Sequence, residues 1–348
     1  MVAVVTVLAL CEIALRCLNI PSQLEQEWLL QPDPLRKRVF DDDTLLANLE
    51  FLDENHYSTE GGKKTIVALG DSFTAGFKVA PSDRYLTVLQ EVLHEHGIDA
   101  TIINMGMGYS GHDQHLAILE HKVLPRLRPD VVIWQWCHND FWDNVELSLY
   151  RMDDESRLTP HGIDKNWLYM RERIWRCIPG PLGIIRRTYL FRLVLSATNY
   201  FRTATVPAEY RNDCLEYGRR KSRLIIEEMG RLSKEYGFKL ILVLVDLQCI
   251  HLDCSETLPG LHRWCFDAQK AMLSQCENYI DTQFSLDDLS PVNAHFSTRI
   301  TSVGHGLFLD GDQDGAAPGI RHYNRYGYWL FARKIGQYLC THRDSLFD

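Results

Sequence analysis

Short apolar, β-branched runs alternate along this chain with stretches whose apolar residues recur at three- and four-residue spacing. That alternation predicts strands interleaved with helices. The strand-like runs are Thr65-Ile66-Val67-Ala68-Leu69, Thr101-Ile102-Ile103, Val131-Val132-Ile133-Trp134-Gln135-Trp136, Lys239-Leu240-Ile241-Leu242-Val243-Leu244-Val245 and Asn278-Tyr279-Ile280-Asp281. Helical spacing runs over 82–96 (Leu86, Leu89, Val92, Leu93), 116–127, 214–236 and 326–338. Strands that are apolar on both faces, each followed by a helix, imply a parallel sheet covered on both sides. The expected fold is α/β, a flavodoxin-like three-layer α/β/α sandwich, occupying 63–348.

The rhythm fails in two places. Residues 21–62 form a polar, aromatic-bearing lead-in with Pro21, Pro32 and Pro34, expected to drape over the domain. From 141 to 212 a Trp-, Arg- and Tyr-rich segment with Pro179-Gly180-Pro181 intervenes. It leaves directly from Asn139, so it is read as a helical insertion that forms either a lid over the site or a peripheral decoration.

Residues 1–20 are apolar almost throughout, with Glu12 and Arg16 one helical turn apart, where they can pair. As a helix, the first 18 residues reach roughly 25–27 Å, just short of a bilayer's hydrocarbon core. The expectation is an N-terminal membrane-anchor helix; a helix packed on the domain is the alternative. No basic n-region or small-residue cleavage site marks a signal peptide.

The candidate chemistry begins where the first strand ends, at Gly70-Asp71-Ser72. A serine at the carboxyl end of a parallel strand stands where open α/β sheets place their ligands. Its alternative role, with Asp71, is to cap the following helix. Three further blocks follow in order: Asn104-Met105-Gly106-Met107-Gly108 after the second strand, Cys137-His138-Asn139-Asp140 after the third, and Arg321-His322-Tyr323-Asn324 before the last helix.

Together these blocks resemble those of the SGNH (GDSL) hydrolase superfamily, over roughly 64 to the C-terminus with the middle interrupted. The resemblance implies Ser72 as nucleophile, His322 as its base, and an oxyanion hole built from the Ser72 and Gly108 backbone N–H groups and the Asn139 amide. In the family pattern the oxyanion glycine stands where this chain has Tyr109, so Gly108 is the choice, with Gly106 and Gly111 behind it. The family also carries an aspartate two or three residues before its histidine, where this chain has Gly319 and Ile320. The upstream carboxylates are Asp310, Asp312 and Asp314; Asp314 is the candidate third member, and a Ser–His dyad is the alternative.

A serine hydroxyl needs an imidazole to take its proton, and the tetrahedral intermediate needs pre-aimed donors for its oxyanion. The resemblance therefore implies a serine esterase acting on an O-acyl group, with acetylated envelope or extracellular glycans as substrates. It also implies a membrane-anchored protein with its catalytic domain outside the cytoplasm. Two alternatives stay open: an O-acyltransferase that uses the same serine, and a non-catalytic glycan-binding member. No cofactor and no metal is expected.

Composition adds exclusions. With 348 residues, 45% hydrophobic content and a net charge of −9, the chain suits a large globular core and not a nucleic-acid partner. The basic group Arg219-Arg220-Lys221-Ser222-Arg223 is read as a solvated helix face. Cys249, Cys254, Cys265 and Cys276 lack the close pairing of a zinc site; in an exported domain they would pair as disulfides, otherwise they are buried thiols.

Overall fold

The structure is a computed structural model that describes residues 63–108, 110–146, 149–153, 155–160, 208–246, 257–309 and 322–347, with Cys11, Ile13 and Ala14. Strand β1 (Lys64–Gly70) pairs with β2 (Ala100–Gly106) on one side and β3 (Val131–Trp136) on the other. Beyond β3 lie two more strands, counted in chain order as β6 (Lys239–Leu244) and β7 (Tyr279–Asp281), because a small antiparallel hairpin, β4 (Tyr150–Met152) and β5 (Leu158–Pro160), precedes them. All pairings in the five-stranded sheet are parallel, in the order β2-β1-β3-β6-β7.

That order is the flavodoxin-like one, and its direction reverses between β1 and β3. The register Gly70↔Gly106 and Leu69↔Trp134 brings the carboxyl ends of β1, β2 and β3 to one edge. A ligand crevice belongs there. The interiors of β1 and β3 are buried throughout, from Ile66 to Leu69 and from Val131 to Trp136, as a sheet covered on both faces requires.

Helices α2 (Tyr85–Glu95), α7 (Leu289–Phe296) and α9 (Arg325–Thr341) form one outer layer. The opposite layer holds α3 (His112–Ile118), α4 (Asp140–Glu146), α5 (Ala208–Tyr236) and α6 (Thr257–Leu273). Short α1 (Ser72–Ala75), α8 (Val303–Gly306) and α10 (Arg343–Phe347) complete the fold.

Several expectations are corrected. The second helix begins at His112, four residues before the apolar spacing announces it, because His112, Asp113 and His115 are buried polar residues on its inner face. Helix α5 begins at Ala208, inside the span assigned to the insertion. The basic run on α5 is not simply a solvated face: Lys221 and Ser222 are fully buried. The hydrophobic pattern also does not announce α6, whose first turn contains Pro259-Gly260; proline is tolerated there because first-turn N–H groups have no helical partner. The proposed anchor, lead-in and residues 161–207 of the insertion lie outside the described residues, apart from Cys11, Ile13 and Ala14. No helix among the described residues is long and apolar enough to cross a membrane.

Candidate active site

The turn after β1 is fixed before any substrate arrives. Asp71 caps α1, its Oδ1 accepting the Phe73 N–H at 2.9 Å. Gln135 on β3 accepts both the Asp71 N–H (3.2 Å) and the Thr74 hydroxyl (2.9 Å). Gly70 has to be glycine, since a Cβ there would stand 2.2 Å from Thr74 Oγ1 and 2.4 Å from Gln135 Oε1. Ser72 therefore opens α1 at the switch point, and its own N–H is a first-turn amide without a helical acceptor.

His322 arrives from the other end of the chain. Its neighbour Tyr323 forms an antiparallel bridge with Phe308, and the His322 carbonyl accepts the Leu309 N–H at 2.9 Å. Asn324 caps α9 by accepting from Tyr326 and Gly327, while its amide donates to the carbonyls of Gly306 and Phe308. So anchored, His322 Nε2 lies 2.7 Å from Ser72 Oγ. The imidazole sits between the rings of Phe73 and Phe77, with centroids at 4.9 and 4.6 Å. When Nε2 accepts the serine proton, the ring's own hydrogen is on Nδ1. Asp310, Asp312 and Asp314 lie outside the described residues.

The three candidate glycines separate by what a side chain would meet. At Gly106 a Cβ would strike the α1 backbone, 2.4 Å from Ala75 N, and at Gly111 it would meet α4 at Asn144 Oδ1, 2.8 Å away. Both are glycines for packing. Gly108 alone of the three faces Ser72, its would-be Cβ 3.9 Å from Ser72 Cβ. Its φ is not in the left-handed region, so the turn's backbone conformation does not by itself demand glycine.

Asn139 stands at the start of α4. Its Nδ2 donates to Asp143 Oδ2 at 2.6 Å, which sets the amide's orientation because the reverse would oppose two acceptors. One Nδ2 hydrogen stays unused by that bond. Asp143 is a supporting residue that sequence reasoning missed; its i+4 spacing from Asn139 at a helix start is the signal that could have found it.

Two buried carboxyls flank these groups. Asp71 is pushed up to about 7, chiefly by burial and then by the charge of Asp140, against the opposing Phe73 N–H, His322 and Gln135. Asp140 is held well above the usual carboxylate range by burial.

A serine hydroxyl in hydrogen-bond contact with an imidazole, with a glycine facing it, is an arrangement for acyl transfer. A family model described as the GDSL-like lipase/acylhydrolase family matches residues 68–248, just over half of the chain. The chain belongs to that family. It is accordingly a carboxylic ester hydrolase of the SGNH/GDSL superfamily. No curated protein matches it. Among solved structures it is similar to the acetyl xylan esterase AlAXEase (14% identity, covering 78% of this chain and 97% of the other, TM-score 0.40). It is also similar to the acetylxylan esterase Axe2 from Geobacillus stearothermophilus (13%, 81% and 96%, TM-score 0.42) and to TesA (13%, 79% and 98%, TM-score 0.39). Superpositions this loose say nothing about substrate.

Among the described residues Cys265 and Cys276 are free thiols, the second of the two states expected for them. Burial pushes the thiols of both upward, Cys265 to about 12, so neither is a reactive thiolate.

Proposed function

We propose that this hydrolase removes small O-acyl groups, acetyl foremost, from an envelope or extracellular glycan, with Ser72 as nucleophile and His322 as general base. The 2.7 Å contact between Ser72 Oγ and His322 Nε2 carries the reading. Attack on the ester carbon passes the serine proton to Nε2. The resulting oxyanion meets the Ser72 and Gly108 N–H groups and the unused Asn139 hydrogen. Collapse returns the proton from Nε2 to the leaving alcohol, and water repeats the cycle on the acyl-enzyme. The choice of acetyl and glycan is supported by the resemblance to cell-envelope members of the superfamily, as is Asp314 as the acid behind His322.

The test uses the full chain in detergent against aryl acetate, butyrate and octanoate, with acetate release from an O-acetylated glycan measured in parallel. We expect kcat/KM for acetate to exceed that for octanoate by about tenfold or more. Ser72→Ala should abolish turnover. Asn139→Ala should lower kcat by about 10²–10³ with little change in KM. A preference for octanoate would overturn the acetyl assignment, and acetate release that survives Ser72→Ala would overturn the nucleophile.

A further inference from the structure

The mechanism makes no use of the polar residues buried beneath the site, and those residues are organised around one helix. His112 and His115 lie three residues apart on α3, their ring centroids 6.3 Å apart, both fully buried. They rest on Trp134 and Trp136, neighbours on one face of β3: the His112 ring lies 3.7 Å from that of Trp136, and Trp134 Nε1–H donates to His115 Nδ1 at 3.0 Å.

From His115 a chain of hydrogen bonds leads to the Gly108 loop. Because Nδ1 accepts from Trp134, the ring's hydrogen is on Nε2, which lies 2.9 Å from Ser110 Oγ. The Ser110 hydroxyl in turn donates to the Met107 carbonyl at 2.5 Å. That carbonyl belongs to the same peptide unit as the Gly108 N–H. In a planar trans peptide the two point in opposite directions. Drawing the Met107 carbonyl inward therefore turns the Gly108 N–H outward.

From His112 a second chain leads to the Asn139 turn. Its Nδ1 lies 2.9 Å from Ser222 Oγ and 3.1 Å from Asn144 Nδ2. Its Nε2 approaches Asp140 Oδ2 at 2.9 Å, off the axis of a straight hydrogen bond. The same Asp140 oxygen accepts the Cys137 N–H at 2.8 Å, and the Cys137 carbonyl accepts from Asp140 N (3.0 Å) and from Gln269 Nε2 (2.8 Å). The turn that presents Asn139 is thus pinned at both ends.

We propose that His112 and His115 are positioning residues for the oxyanion hole, His115 aiming the Gly108 N–H through Ser110 and His112 fixing the Asn139 turn through Asp140. One helix thereby holds both loop-borne donors in register over Ser72. This rests on the oxyanion hole given under the proposed function. Neither imidazole touches substrate, and each acts by orienting a donor that charge meets only in the transition state.

The test reads turnover of an aryl acetate and the affinity of a boronic acid, whose tetrahedral serine adduct places an oxygen where the oxyanion forms. We expect Ser110→Ala and His115→Leu each to lower kcat about tenfold or more, to weaken the boronate in parallel, and to leave KM near the parent value. The double variant should be little worse than either single one, because both cut the same chain. His115→Gln should restore most of the loss, since its amide can accept from Trp134 and donate to Ser110. His112→Leu and Asp140→Ala should each reproduce the kcat loss without adding in their double variant, because His112 acts on the turn through Asp140, and a His112→Leu variant with unchanged kcat would remove His112 from the proposal. If His115→Leu fails to fold, Ser110→Ala decides. Losses that add in the double variant, that appear in KM, or that leave boronate affinity untouched would overturn the positioning role. Failure of the underlying site is recognised separately: the Ser72→Ala variant would still turn over ester, or the parent would bind no boronate.

Discussion

At the residue scale the site is set by neighbours that restrict each functional group to one arrangement. Asp71 shows this with a measurable consequence. Its carboxyl caps α1 and is buried against Asp140, and its pKa rises from 3.8 to about 7. The fold therefore holds a proton that the unfolded chain releases near pH 4. This contribution is fully present below pH 4 and declines as the pH rises toward 7, by up to about 1.4 kcal/mol per unit, after which both states are ionised. Asp71→Asn keeps a capping acceptor but cannot titrate. Urea midpoints measured at pH 4, 5, 6 and 7 should show the parent losing stability across this window relative to the variant. Parallel curves would mean that Asp71 is ionised throughout. The contact between Ser72 and His322 was legible because each stands in a short local block. Asp143, Ser110 and the imidazole-flanking Phe77 were not, because each matters only through a neighbour that the fold supplies.

At the scale of elements, the parallel strands were legible because a strand buried on both faces leaves a continuous apolar run. The helices beneath the site were harder to read because polar residues form part of their buried face. Lys221 of α5 lies fully buried, donating to Asp113 of α3 at 2.6 Å and to the Asn144 carbonyl of α4 at 2.9 Å. Asp113 also accepts the backbone N–H groups of Leu149 and Tyr150 at 2.7 and 3.1 Å. A basic run on a long helix reads as solvated when only its own sequence is visible; the partner carboxylate is 108 residues away. The pair joins three helices, and its two members are not equivalent to remove. Lys221→Met should cost about 3–5 kcal/mol in urea unfolding, because it leaves an uncompensated carboxylate in the interior. Adding Asp113→Leu removes that charge, so the double variant should recover part of the loss. A single-variant cost below about 1 kcal/mol, the level of a surface pair, would show that water reaches the pair.

At the scale of the whole molecule, the first and last described elements of the domain meet. Strand β1 begins at Lys64, whose Nζ donates to the Phe347 carbonyl on α10 and lies 3.8 Å from Asp130 Oδ1, so the first strand and the last helix meet. Thr65 N–H donates to Asp130 Oδ2 at 2.7 Å, tying β1 to the entry of β3. Ser72 at the end of β1 and His322 before α9 are thus brought together by elements that all lie between 64 and 347. The apolar character of residues 1–20 is a separate property of the sequence, and a membrane tether is the role we propose for it. The two should be separable. A chain starting at Lys63 should partition into the aqueous phase, hold kcat/KM for aryl acetate within about twofold of the full chain, and unfold cooperatively, because the strand, turn and bridge that carry Ser72 and His322 lie within residues 64–347. The full chain should sediment with vesicles, and the shortened one should not. A shortened chain that aggregates or loses turnover would show that the apolar segment packs on the domain, and full chains that stay in the supernatant would remove the tether.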